Sequence, residues 1–348
     1  MHMADALLSP AVGGGMWAAS AGTIAYCSAR VSRDLDDRKV PLMGVLGAFL
    51  FAAQMINFSI PATGSSGHLG GGLLLAILLG PCAAFLTIAS VLVVQALFFA
   101  DGGLLALGCN IFNMGFFPAF VVFPLFYKKL IGLDPSRARL TTVTMISALI
   151  GLQLGPFAVV LETLASGLSS LPFSTFVLLM QPIHLAIGAV EGVVTVAVVS
   201  FVHQARPEIL RAAVEAGPVG NYPMRNVALA FLLGAVLTAG VVSGFASKDP
   251  DGLEWAIARV TGNRDLKAPQ SVLHGALALF QQKTAMLPEY DYRKSTAERA
   301  TYGPKAVQRK QGEGINPGTS IAGIVGSLLT LLLTFLGGTV LKKRIKAA

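Results

Sequence analysis

The chain has 348 residues, 54% of them hydrophobic and only 13% charged, with a formal net charge of +8 and a mean hydropathy of +0.67. So apolar a composition excludes an ordinary soluble domain or a disordered chain and makes the bilayer the expected solvent. Lys and Arg fall at the ends of apolar segments and form no patch, which argues against nucleic acid as a partner.

In chain order, apolar stretches at 5–29, 41–58, 69–80, 81–100, 104–126, 139–164, 180–203, 225–245 and 319–341 predict nine membrane spans. The first lacks a basic flank, since Arg30 is the first Lys or Arg, so it is not read as a cleavable signal peptide and Met1 is expected to persist. The third is short for a ~30 Å hydrocarbon core, and Gly80-Pro81 marks its junction with the next, so a re-entrant or broken element is the alternative. It is counted as a span because the alternation of basic residues between loops requires an odd number of passes there.

Arg30, Arg33, Arg38 and Lys39 occupy one loop; Lys128, Lys129, Arg137 and Arg139 a second; Arg206, Arg211 and Arg225 a third; Lys342, Lys343, Arg344 and Lys346 the tail. Short loops at 59–68, 101–103 and 165–179 have none, which places the amino terminus and 246–318 outside and the carboxyl terminus inside. The expected fold is an all-α polytopic membrane protein: a seven-helix bundle over 1–205, a cytoplasmic linker over 206–224, and a region over 225–348 with two further transmembrane helices flanking an extracytoplasmic subdomain. Lys305–Gly318 reads as a flexible return. Cys27, Cys82 and Cys109 lack CxxC spacing and read as helix-packing residues.

The chain begins Met1-His2-Met3. A free α-amine, the next amide nitrogen and the His2 Nδ1 atom can close two fused chelate rings around one cation. A deprotonated amide favours tetragonal Ni²⁺ or Cu²⁺ and leaves one in-plane position open. His68, in the Gly-rich turn Gly64–Gly72, is expected on the same face of the membrane and is the candidate fourth donor.

MHMADALLSP resembles the MHIPDGFLSP-type start of the CbiM/NikM family, substrate-binding components of energy-coupling factor transporters for cobalt and nickel. The resemblance continues through Val40–Gly44, Phe51–Phe58, Ser66–Leu69, Asp101–Gly103 and Gly108–Gly115, and covers about residues 1–205. It implies that Met1, His2 and His68 bind Ni²⁺ or Co²⁺ as transported substrate, with no resident cofactor. It further implies a transmembrane coupling subunit of the CbiQ/NikQ type, an ATPase of the CbiO/NikO type, and a plasma-membrane location. Met3-Ala4-Asp5-Ala6 departs from the usual Ile-Pro-Asp-Gly, which removes no proposed donor. Asp249–Trp255 resembles the start of a PDGLE domain, an accessory region of the CbiN/NikN type often fused behind such proteins.

Asn57, Asn113 and His184 are candidates to orient the ligands, as are Gln54 and Asp101; helix-to-helix hydrogen bonding within the bundle is the more ordinary reading of each. Ala21, Ala25 and Ala29 put a small-residue face on the first span, which by the resemblance would meet the coupling subunit. No lysine follows a glycine, so the GxxxxGK[ST] phosphate loop is missing, and no HExxH occurs. The chain is thus expected to be a transport component and not an enzyme, leaning to nickel. The alternatives are a proton-coupled secondary metal permease using Glu162, Glu191 or His184, and a membrane sensor whose external loop binds a protein.

Overall fold

Lipid offers no hydrogen-bond partners, so long apolar runs must satisfy their backbone internally as helices. The computed structural model describes residues 2–33, 39–169, 171–217, 224–262, 269, 271–292 and 317–347. The helices are α1 (Pro10–Arg33), α2 (Lys39–Gln54), α3 (Gly72–Leu79), α4 (Pro81–Phe99), α5 (Leu107–Ile131), α6 (Arg137–Ser166), α7 (Phe173–Ala205), α8 (Pro207–Glu215), α9 (Arg225–Gly240), α10 (Gly252–Thr261), α11 (Val272–Thr284) and α12 (Pro317–Ala347). The protein is an all-α polytopic membrane protein. Among the described residues, six helices are long and apolar enough to cross: α4, α5, α6, α7, α9 with its 3₁₀ extension to Phe245, and α12. Leu161, Leu178, Leu185, Val193, Leu233, Val236 and Leu336 stand exposed along them, the pattern of side chains solvated by lipid.

The third predicted span is different. Helix α3 has 8 residues, all buried, and at 1.5 Å per residue it covers only about 12 Å. It is preceded by non-helical chain: a short antiparallel hairpin, β1 (Phe58–Ile60) with β2 (Ser65–Gly67), followed by the turn that carries His68. Ser65–Leu69 are buried, so protein surrounds this irregular backbone. At the other end of α3, Gly80 (φ 78°) makes the break before Pro81 and lies near the Ala213 carbonyl of α8. The 206–224 linker is therefore partly a helix that buries Ile209, Leu210 and Val214 under the bundle.

The last two long helices are built into the bundle. Both α9 and α12 pack on α2, which is almost wholly buried between them and α4. A side chain at Gly326 of α12 would collide with the Phe51 ring, so the missing Cβ sets how closely the two helices approach. Of the predicted external subdomain, α10, α11 and a 3₁₀ turn at Pro288–Tyr290 are described; the return Lys305–Gly318 lies almost entirely outside the described residues.

Candidate metal site

The chain start folds back into the bundle, and residues the sequence left unassigned hold it there. Met3 is fully buried; its N–H donates to Asn110 Oδ1 at 2.8 Å, and its carbonyl accepts from Asn110 Nδ2 (3.3 Å) and from the Gly103 N–H (2.9 Å). Asp5 Oδ1 accepts from the Ala106 N–H at 3.0 Å. Two glycines make room: a Cβ at Gly103 would collide with Asp5, and one at Gly102 (φ +77°) would come within 2.8 Å of Asn110 Nδ2 and 3.1 Å of His2 Cβ.

This anchoring stacks His2 on His68, with ring centroids 5.1 Å apart and planes 17° from parallel. Burial lowers the pKa of both imidazoles, that of His68 well below its ordinary value, so both are neutral near pH 7, the form that ligates metal. His68 Nδ1 sits 3.1 Å from the Leu69 carbonyl, which can only accept; the proton is on Nδ1 and the lone pair on Nε2. The following turn is fixed by Glu191 of α7, whose carboxylate accepts from Gly70 N–H at 2.6 Å and Gly71 N–H at 3.1 Å. His2 Nδ1 faces Asp101 Oδ1 at 3.2 Å, and His2 Nε2 faces Gln95 Oε1 at 3.1 Å.

The segment after α9 closes over this arrangement. Pro250 accepts from the Ser66 N–H (2.7 Å) and Asp249 from Ser66 Oγ (2.8 Å), so this strand runs parallel to β2 at Ser66–Asp251. Trp255 Nε1 donates to the Thr63 carbonyl at 3.0 Å. His274 Nε2 reaches the Leu8 carbonyl at 3.0 Å, and Tyr290 donates to Asp101 Oδ2 at 2.5 Å. Asp251, His68, Met114, Ile187 and His184 are among the residues that line a cavity of about 30 Å³.

Of the predicted residues, His2 and His68 come together, and His184 shares the cavity with His68. His184 Nδ1 donates to the Met180 carbonyl at 2.7 Å, which leaves a buried Nε2 lone pair without a hydrogen-bond partner. Asn113 instead donates to Glu162 Oε2 at 2.8 Å, and Asn57 offers its backbone carbonyl to the Ser247 N–H at 2.6 Å. Met1 lies outside the described residues. Among the described residues no three His, Cys, Asp or Glu side chains converge on one point. Of the other candidates, Asp101 faces His2 directly and Gln54 reaches it through Gln95; Asn110 and Gln95 were not singled out, and the one signal for them in the sequence is a polar residue in an apolar helix.

Fold and site together define a polytopic helical membrane protein with a buried pair of neutral imidazoles beside its chain start. Residues 2–209 match the family described as the cobalt uptake substrate-specific transmembrane region, CbiM, and residues 225–343 match the PDGLE domain. The chain belongs to the CbiM family and is a cobalt/nickel transport component. It is 29% identical to the fused nickel transport protein NikMN of Rhodobacter capsulatus, over 83% of this chain and 88% of that one. It is 28% identical to the cobalt transport protein CbiM of Geobacter sulfurreducens, over 87% and 92%. A crystal structure of a transition metal transporter superposes with a TM-score of 0.53 at 31% identity, over 61% of this chain and 96% of that one.

Proposed function

We propose that the chain is the substrate-capture component of an ATP-driven importer, taking Ni²⁺ in preference to Co²⁺ from the outer face of the plasma membrane. The donors are the Met1 amine, the His2 amide nitrogen and Nδ1, and His68 Nε2. The observation that carries this reading is the stacking of His2 on His68 at 5.1 Å, on a chain start pinned by Asn110. Four nitrogens, one a deprotonated amide, suit a square-planar d⁸ ion better than an octahedral one. Residues 1–205 form the capture bundle, 206–224 the cytoplasmic linker, and 225–348 the accessory region, with the amino terminus outside and the carboxyl terminus inside.

ATP hydrolysis falls to a separate subunit, working through a transmembrane coupling subunit. A docking face for the latter is supported by α1, where Ala21, Ala25 and Ala29 are exposed and a Cβ at Gly14, Gly15 or Gly22 would meet nothing within 4 Å. Small residues on an open helix face permit close approach of another helix. His68→Ala, or one residue added before Met1, is expected to abolish nickel retention in equilibrium dialysis; full retention by either variant overturns the donor set. Nickel uptake in cells with and without the partner ATPase tests the energy coupling.

A further inference from the structure

We infer that Gln54 and Gln95 form a relay that sets the tautomer of His2, keeping its proton on Nε2 so that Nδ1 stays open to the metal. The inference rests on the proposed ligation by His2 Nδ1. Its starting point is the Gly70 carbonyl, two residues beyond His68, which can accept a hydrogen bond but never donate one. Gln54 Nε2 donates to it at 2.8 Å, so the amide of Gln54 has one orientation and its Oε1 points the other way. Gln95 Nε2 donates to that Oε1 at 2.9 Å, which turns Gln95 Oε1 towards His2. That oxygen lies 3.1 Å from His2 Nε2 and can only accept. The proton of a neutral His2 ring is thereby drawn to Nε2.

Both glutamines are buried, at 4% and 1% exposure, so water does not compete for these groups. The opposing pull comes from Asp101, whose Oδ1 sits 3.2 Å from Nδ1 and would take the proton there if the relay were cut. With the proton on Nε2, the negative charge of Asp101 beside the open Nδ1 lone pair favours a cation at that nitrogen. The relay thus leaves Nδ1 for a metal, and it couples the turn bearing one proposed ligand to the ring of the other. Gln54 and Gln95 are positioning residues, acting through His2.

The test uses the full chain labelled with ¹⁵N-histidine, with the His2 signals assigned by their loss in His2→Gln, and nickel as the probe. The metal-free protein is expected to carry the His2 proton on Nε2. In Gln95→Met the proton should shift towards Nδ1 and nickel affinity should fall ~10–100-fold, the usual effect of removing a partner that orients a ligating histidine. Gln95→Glu, which restores an acceptor facing Nε2, should recover both. Gln54→Met cuts the relay one link further back and replaces Gln95→Met if that variant does not fold. A proton on Nδ1 in the unaltered chain, or wild-type nickel affinity in the Met variants, overturns the relay alone provided His68→Ala still abolishes binding. Retention of nickel by His68→Ala overturns the ligand reading and the relay with it.

Discussion

Asn110→Ala isolates the anchoring of the chain start. The side chain makes two hydrogen bonds to Met3, accepting from its N–H at 2.8 Å and donating to its carbonyl at 3.3 Å. The two losses are unequal. The Met3 carbonyl keeps the Gly103 N–H at 2.9 Å, whereas the Met3 N–H loses the partner that satisfies it inside the protein. An unsatisfied buried donor costs about 1–3 kcal/mol. The docked chain start is the binding-competent form, so that energy lowers its population and weakens apparent nickel affinity by about 5–150-fold where docking has no reserve. Equilibrium dialysis measures the affinity, and hydrogen exchange at the Met3 amide reports docking directly. Unchanged affinity together with an unchanged, protected Met3 amide would refute the assignment of Asn110 as the anchor.

Glu191→Gln leaves one oxygen to serve the two N–H groups of Gly70 and Gly71, so it is expected to cost about 1.5–3 kcal/mol, read as a lower Tm and weaker nickel binding. A variant of unchanged stability whose uptake lost its proton dependence would instead favour the proton-coupled permease. The pH dependence of binding follows from neutral imidazoles. Burial holds His2 and His68 below their ordinary 6.5, so near pH 7 neither has a proton to lose on ligation. The proton release then comes from the amide and from the α-amine, whose ordinary value is about 7.7–8.0. Log affinity should climb with a slope of about two below pH ~7.7 and about one above it. Calorimetry in buffers of different ionisation enthalpy checks the count, and a slope of three or more between about pH 6.5 and 7.5 would mean that an imidazole is charged.

What the sequence made legible follows from which constraints are local. Span positions were readable because lipid forces any long apolar run into a helix, so Arg137–Ser166 and Phe173–Ala205 coincide with their predicted stretches to within a few residues, apart from an earlier start for the latter. The break at Gly80-Pro81 and the shortness of the third stretch were readable, but the three-residue strands before it were not, since so short an element shows no periodicity. That His2 and His68 would lie together was foreseeable, because a chelate built on a chain start pairs a histidine at position two with one further nitrogen donor, and the two rings do stack. Asn110 and Gln95 were not, for a polar residue in an apolar helix looks the same whether it bonds a neighbouring helix or a chain end 107 or 93 residues away. Asp251 was visible as part of a motif, but nothing local shows that its strand would lie beside Ser66.

Asp101 joins these parts, because it faces His2 with one oxygen and accepts from Tyr290 with the other. A hydrogen bond from a phenol withdraws charge from a carboxylate and weakens its pull on a proton elsewhere. Tyr290 belongs to the matched PDGLE region and His2 to the matched CbiM region. The contact from the PDGLE side therefore opposes protonation of His2 Nδ1, the same direction in which Gln54 and Gln95 act from the bundle side. Tyr290→Phe is therefore expected to move the His2 proton towards Nδ1 in ¹⁵N spectra, and an unchanged proton position would refute this coupling.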